Sequence, residues 1–344
     1  MKKIPTSPFT LPAVGTWGET QHQFEQESID ALETAYLAGR PLLIRGETGS
    51  GKSQLARAVA HVWERLFLSE VVNSRSESQD LHYRFDAVAR LADAQAANVL
   101  LDADDKKDKD KVKAYLNPLK YLTPGILWWV FDWQSASEVY QTEGHKGKAK
   151  KKPRLCNTKD EEKTWQASDG AVILIDEIDK AETDLPNDLL ETLGNGAFNV
   201  PWIDESICMQ AQNPPLVIIT TNDERELPAA FVRRCVVLDL NPPKYNEDNN
   251  DLLAWLCGRG EVHFAKKCSD ETRQNAASLL IKNRNKAEEK GVSPAGQAEY
   301  LDLLRVLCKH TENEKDDDKR DKRHRELIEI ISPYVYQKYP EMKE

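Results

Sequence analysis

Long apolar runs are missing from this 344-residue sequence, and no window approaches the 18 or more apolar residues of a membrane-spanning helix. A helix that crosses a bilayer is therefore not expected. Paired cysteines are missing too. Cys156, Cys208, Cys235, Cys257, Cys268 and Cys308 are scattered without a Cys-x-x-Cys pair, which indicates neither a zinc site nor a disulfide framework and leaves buried or idle thiols as the expectation. No secretory leader pattern is visible: Met1-Lys2-Lys3 runs into Ile4, Pro5 and Thr6 instead of an apolar stretch, which points to a cytoplasmic protein. Excess positive charge is also lacking. A formal net charge of -10 argues against a broad electrostatic grip on nucleic acid, although local basic runs could contribute. What remains is 40% hydrophobic and 30% charged residues over a length that suits one large or two modest domains with a proper core and a wet surface.

The sharpest pattern lies at residues 46–53. They read Gly-Glu-Thr-Gly-Ser-Gly-Lys-Ser and satisfy every fixed position of Gly-x-x-x-x-Gly-Lys-[Ser/Thr]. The apolar run Leu42, Leu43, Ile44 precedes them, and residues 54–60 are helix-compatible with an apolar stripe, so a strand, a loop and a helix starting near Gly51 are predicted. Such a loop turns backbone N–H groups inward around phosphates. Gly46, Glu47, Thr48, Gly49, Ser50, Gly51, Lys52 and Ser53 are thus candidate nucleotide ligands. Lys52 brings a cation for the outer phosphates and Ser53 a hydroxyl for magnesium, with the helix N-terminus adding its own affinity for anions.

A second chemical pattern closes a second apolar run. Residues 171–175 are continuously apolar, as a strand covered on both faces requires, and end in Asp176-Glu177. Adjacent carboxylates at a strand tip suit a magnesium–nucleotide site, one near the ion and the other beside an attacking water. Further on, residues 216–221 form another buried strand that stops at Asn222, and residues 227–234 suggest a short helix ending in Arg233-Arg234 before a strand at 236–240. Around these, helices are expected at 25–38 and 80–91, a strand near 70–73, and an extended arm with Trp17 as its anchor over the first 23 or so residues. The aromatic stretch 121–133 is expected to pack in the core, with a substrate-gripping surface as the alternative. Charged runs at 102–113 and 146–152 read as solvated loops. Alternating strands and helices, with each polar motif at a strand's carboxyl end, predict an α/β fold over 1–241: a doubly wound parallel sheet of the P-loop NTPase kind. After Asn241-Pro242-Pro243 only helical patterns follow, which makes 242–344 a smaller α-helical domain with a charged run at 312–325.

Taken together, these motifs resemble the AAA+ ATPases, and among them the MoxR-like members, over roughly residues 30 to 310. The resemblance rests on Ile175-Asp176-Glu177-Ile178-Asp179-Lys180-Ala181, Pro186-Asn187-Asp188-Leu189-Leu190-Glu191 and Leu227-Pro228-Ala229-Ala230-Phe231-Val232-Arg233-Arg234-Cys235. It implies a five-stranded core with an α-helical lid, magnesium-dependent ATP hydrolysis, and a homo-oligomeric ring, with a hexamer as the expected count. It also implies remodelling or activation of a partner protein, often one with a von Willebrand factor A domain. By position, Lys52 and Ser53 would hold phosphate and magnesium, Asp176 the magnesium shell, Glu177 the attacking water, Asn222 would be the first sensor and Arg234 the arginine finger, with Arg233 as its neighbour. The aromatic stretch occupies the place of the family's helix-two insert. ATP over GTP follows from the resemblance, and no Asn-Lys-x-Asp guanine motif occurs. One departure stands out: in Ser293-Pro294-Ala295, Ala295 takes the place where a second-sensor arginine is common. Two other readings remain open, a nucleic-acid-directed motor subunit using residues 148–152 and Arg154, and a binding module gated by nucleotide.

Overall fold

The computed structural model describes residues 2–100, 109–141, 169–209, 214–243, 251–339 and 342. The basic tract 146–152, Arg154 and most of the charged run 102–113 lie outside the described residues. Two compact units form, and neither is contiguous in sequence. One comprises Met1–Lys2, Asp30–Leu43 and Val59–Val237, the other Lys3–Ile29, Ile44–Ala58 and Leu238–Glu344.

The architecture is α/β, built on a five-stranded parallel sheet. Val236–Asp239, Leu42–Arg45, Leu216–Thr221, Ala171–Asp176 and Leu66–Val71 lie side by side in that order. The continuous apolar runs are the cause, because a strand flanked by neighbours and covered on both faces has no solvated side to keep polar. Ile173, Leu174 and Ile175 are fully buried, and every residue of Leu216–Thr221 is buried. Val172 faces Leu216, and Ala171 faces Leu66, across parallel ladders. Burying each such side chain contributes about 1.5–3 kcal/mol. Parallel neighbours carry Asp176 and Asn222 to the same edge of the sheet.

The aromatic stretch is core. Trp128, Trp129 and Phe131 are buried among Leu127, Val130 and Val139, Tyr121 is buried as well, and the Trp128 indole N–H donates to Ser135 Oγ at 2.8 Å. Two local expectations differ. The single helix predicted over 80–91 is broken into a helix at Ser78–His82, a strand at Tyr83–Phe85 and a helix at Ala87–Leu100. Tyr83–Phe85 pairs with Leu122–Pro124 in an antiparallel ladder, so a partner about forty residues away overrides a helical spacing of apolar residues. The strand predicted near 70–73 runs instead from Leu66 to Val71, because Leu66, Phe67 and Leu68 supply the apolar faces that the sheet covers.

In the other unit, the N-terminal arm is a two-stranded antiparallel ribbon, Phe9–Leu11 against Thr20–His22, where an extended arm was expected. Arg57 pins it. Its guanidinium, on a residue only 2% exposed, donates to the Gly18 carbonyl at 3.0 Å and to the Pro12 carbonyl, and lies 5.8 Å from the Trp17 ring centroid. Helices Asp251–Phe264, Asp270–Glu289, Gln297–His310 and Asp317–Tyr336 enclose Leu256, Ala276, Leu280, Tyr300, Leu304 and Leu307. Ser269 caps the second of them by accepting the Thr272 N–H at 3.3 Å. The charged run leads into the last, which starts behind the cap Asp316. Among the described residues, no helix is long and apolar enough to cross a membrane.

Candidate nucleotide site

Leu42–Arg45 ends where the glycine-rich loop begins, and the next helix starts at Lys52. Three glycines of the loop have φ values that other residues adopt only at a cost, +154° at Gly46, +81° at Gly49 and +97° at Gly51. Gly49 also lies so close to Ala298 that a Cβ on it would overlap the alanine methyl, whereas a Cβ on Gly51 would meet open space. The loop folds around its own cation. The ammonium of Lys52, a residue 6% exposed, donates to the Gly46 carbonyl at 2.6 Å and the Glu47 carbonyl at 3.0 Å. Ser50 N–H closes the turn onto the Glu47 carbonyl at 3.2 Å. Ser53 is half-buried in the first turn of the helix, and Thr48 is exposed.

A cavity of about 210 Å³ adjoins the loop, lined in part by Gly49, Ser50, Gly51, Gln54, His22 and Gln297. Among the described residues, four buried polar atoms around it have no hydrogen-bond partner: Ser50 Oγ, Gln54 Oε1, His22 Nε2 and Gln297 Oε1. Buried polar groups are nearly always satisfied, so four orphans around one cavity mark a place that a polar guest would complete. The residues present therefore fit a nucleotide. Burial, assisted by Arg259 and His263, pushes His22 down to about 3, and burial first, then Arg259 and Arg305, pushes His263 down to about 4. Both imidazoles are neutral at neutral pH.

That depression carries a sign. The unfolded chain binds a proton at His22 below about pH 6.5 while the folded chain does so only near 3, so stability should fall as pH drops through that window. Denaturant midpoints measured from pH 7 to pH 4 should decline, and less steeply in His22→Gln.

The acidic strand end is held by one threonine. Asp176 is the last residue of its strand, and Glu177 follows in the left-handed region at φ +62° and ψ +48°. A glutamate there stores about 1–3 kcal/mol of backbone strain that the surroundings must hold. Thr220 provides the hold: Glu177 N–H donates to Thr220 Oγ1 at 2.9 Å, and that hydroxyl donates to Asp176 Oδ1 at 2.5 Å. The strained turn swings the Glu177 side chain toward the next strand. Glu177 Oε1 accepts from Asn222 Nδ2 at 3.5 Å, and Oε2 accepts from Lys180 Nζ at 2.7 Å. The hydrogen bond to Glu177 is the chief cause lifting the Lys180 ammonium above its ordinary value against partial desolvation. Asp179 is buried, taking the Glu224 N–H at 3.0 Å on one oxygen, while the other has no hydrogen-bond partner among the described residues. Asp176, Glu177 and Asn222 are thus brought together as the motifs suggested.

Arg233 and Arg234 follow the short helix Ala229–Val232. Both are exposed, and neither side chain makes an ion pair or hydrogen bond among the described residues. Two residues with evident roles escaped the sequence reading. Thr220 carried a faint signal, as one of the two threonines that close an otherwise apolar strand before Asn222. Arg284 carried none; its guanidinium reaches Glu47 of the loop.

No family model matches the chain, and no curated protein matches it. Among solved structures, it is similar to a mutant RuvB from Thermotoga maritima, at 13% identity and a TM-score of 0.43, covering 89% of this chain and 69% of that one. It is also similar to a putative ATPase from Cytophaga hutchinsonii, at 15% identity and a TM-score of 0.32, covering 85% of this chain and 80% of that one. Likenesses this distant carry no argument about the site, which rests on the residues above.

Proposed function

We propose that the protein is a magnesium-dependent ATPase of the AAA+ type, MoxR-like in its motifs, that assembles into a homo-oligomeric ring, expected to be a hexamer, and remodels or activates a partner protein. The observation that carries the nucleotide reading is the loop at 46–53: a strand, a glycine-rich turn closed around a buried ammonium, and a helix opening at Lys52, beside a cavity rimmed with unsatisfied polar atoms. Bound MgATP would supply the scissile phosphoanhydride and the metal's charge. The chain's own groups do the rest. Lys52 would bind the outer phosphates, Ser53 and Asp176 are the candidate groups for the magnesium shell, and Glu177 would take the proton of the attacking water. Asn222 orients that glutamate through its amide, and Arg234, with Arg233 as the neighbouring candidate, serves a site on another copy of the chain. A von Willebrand factor A protein as the partner, the cytoplasm as the location and a lid over 242–344 belong to the same proposal, on the strength of the motif resemblance.

The direct test is nucleotide binding by calorimetry with MgATP. Lys52→Ala removes the ammonium that the loop is folded around and should weaken binding by about tenfold or more, since an unbalanced phosphate charge costs at least about 1.4 kcal/mol. Wild-type protein that binds no nucleotide, or Lys52→Ala that binds as well as wild type, would sink the reading.

A further inference from the structure

The phosphate loop carries an acid where it is built to hold an anion. Glu47 is the loop's second residue, and its main chain is central to the fold of the turn: its carbonyl takes the Lys52 ammonium and the Ser50 N–H, and its own N–H donates to Asn241 Oδ1 at 3.1 Å. Left alone, its carboxylate would repel nucleotide phosphates and compete with them for Lys52. It is not left alone. Arg284, from the C-terminal half of the Asp270–Glu289 helix, reaches it with both arms, Nη2 to Oε1 at 2.8 Å and Nη1 to Oε2 at 3.0 Å. The same Nη1 donates to the Ala295 carbonyl at 2.8 Å. The Arg284 side chain is only 10% exposed while that of Glu47 is 39% exposed, so the arginine is the more buried partner and holds the acid from its inner side. Helix and loop belong to the same compact unit.

We propose that Arg284 is a positioning residue for the phosphate loop: it neutralises Glu47 and ties the loop to the segment 295–298, so that the carboxylate does not oppose a phosphate at the loop. The proposal rests on the nucleotide reading above for its second half, and on geometry alone for the first. Three contacts converge on one stretch of chain. Arg284 bonds the Ala295 carbonyl, Gly296 lies 3.5 Å from Glu47 Oε2 measured from where its Cβ would stand, and Ala298 packs onto Gly49. This is the stretch in which an alanine occupies the place where the motif resemblance implied an arginine. A bidentate pair, unlike a single ammonium, fixes orientation as well as charge. The consequence is that the loop's competence for nucleotide depends on a helix more than two hundred residues later in the chain, through one ion pair.

The test separates charge from architecture by a double-substitution cycle, Arg284→Gln, Glu47→Gln and both together, read in two ways. The first reading needs no nucleotide: hydrogen exchange of the apo protein. Arg284→Gln should speed exchange at the amides of 47–53 and 296–298 by about tenfold or more, because the loop loses the two hydrogen bonds that tie Glu47 to the helix and the Ala295 carbonyl loses its donor. Unchanged exchange would overturn the clamp. The second reading is affinity for MgADP and MgATP by calorimetry. Arg284→Gln should weaken both by about tenfold or more through the freed carboxylate, and the double variant should bind at least about fivefold more tightly than Arg284→Gln, with Glu47→Gln supplying the fourth corner of the cycle. A double variant as weak as Arg284→Gln would overturn charge neutralisation, since the guanidinium would then matter for packing alone. Arg284→Lys, which keeps the charge and loses the fork, should fall between wild type and Arg284→Gln. If wild type itself binds no nucleotide, the functional reading falls and the exchange result alone decides the clamp.

Discussion

Glu177→Gln should bind MgATP about as tightly as wild type and hydrolyse it about a hundredfold to ten-thousandfold more slowly, the range that a positioned general base contributes. The substitution is nearly isosteric. A glutamine carbonyl oxygen can still accept from Lys180 or Asn222, the two partners of the native carboxylate, and the backbone bond from residue 177 to Thr220 is untouched. The left-handed turn and the place of Asp176 should therefore survive. What is lost is the ability to take a proton from water. Single-turnover hydrolysis measured beside calorimetric binding separates the two effects. Equal hydrolysis by variant and wild type would remove Glu177 from the role of base, and a parallel loss of binding would mean that the turn had collapsed. The Lys180 contact adds a second expectation within the same experiment. As long as the ammonium holds one carboxylate oxygen, that oxygen is a poorer base, so Lys180→Ala should change the turnover number more than the affinity.

Arg234→Ala should bind ATP normally and hydrolyse it about a thousandfold more slowly, because an arginine supplied across an interface neutralises charge that develops only in the transition state. The structure sharpens this expectation. Arg234 is exposed and makes no ion pair or hydrogen bond among the described residues, so its removal should change folding stability by no more than about 0.5 kcal/mol. A long cationic side chain with no polar contact among the described residues suits the proposed role of serving another copy. If the ring forms, specific hydrolysis should rise more than linearly with protein concentration and then level off. Mixing Arg234→Ala with Lys52→Ala should restore activity that neither has alone, since the second variant lends its arginine to the intact phosphate loop of the first. Specific activity that is flat from fully monomeric to concentrated protein, or no recovery on mixing, would defeat the trans assignment. Loss of activity in Arg233→Ala and not in Arg234→Ala would move the role one residue back.

The local part of this protein was legible in the order of its residues. The loop at 46–53 announces itself because backbone that must turn with positive φ at Gly49 and Gly51 tolerates few substitutes, and because the lysine and serine that follow stand at fixed offsets. The strands ending at Asp176 and Thr221 were legible for a related reason. A fully covered strand must be apolar on both faces, and the first polar residues after such a run mark the sheet edge where chemistry can happen. Even the core placement of Trp128 and Trp129 follows from composition, since rings of that size are costly to leave in water.

Tertiary structure decided whatever depended on a partner distant in sequence. Tyr83–Phe85 has apolar residues at a spacing that a helix could use, and it became a strand because Leu122–Pro124 offers hydrogen bonds that no nearby residue can match. The N-terminal arm became a ribbon because Arg57 could satisfy its loop carbonyls from the helix behind the phosphate loop. Thr220 is one hydroxyl in a strand until Asp176 and Glu177 are laid beside it. Arg284 is one more basic residue in a helix until the fold brings it under Glu47. Periodicity and motif report the constraints a residue shares with its immediate neighbours, while ion pairs and hydrogen bonds between segments depend on three-dimensional approach, and that approach is settled only when the core has packed.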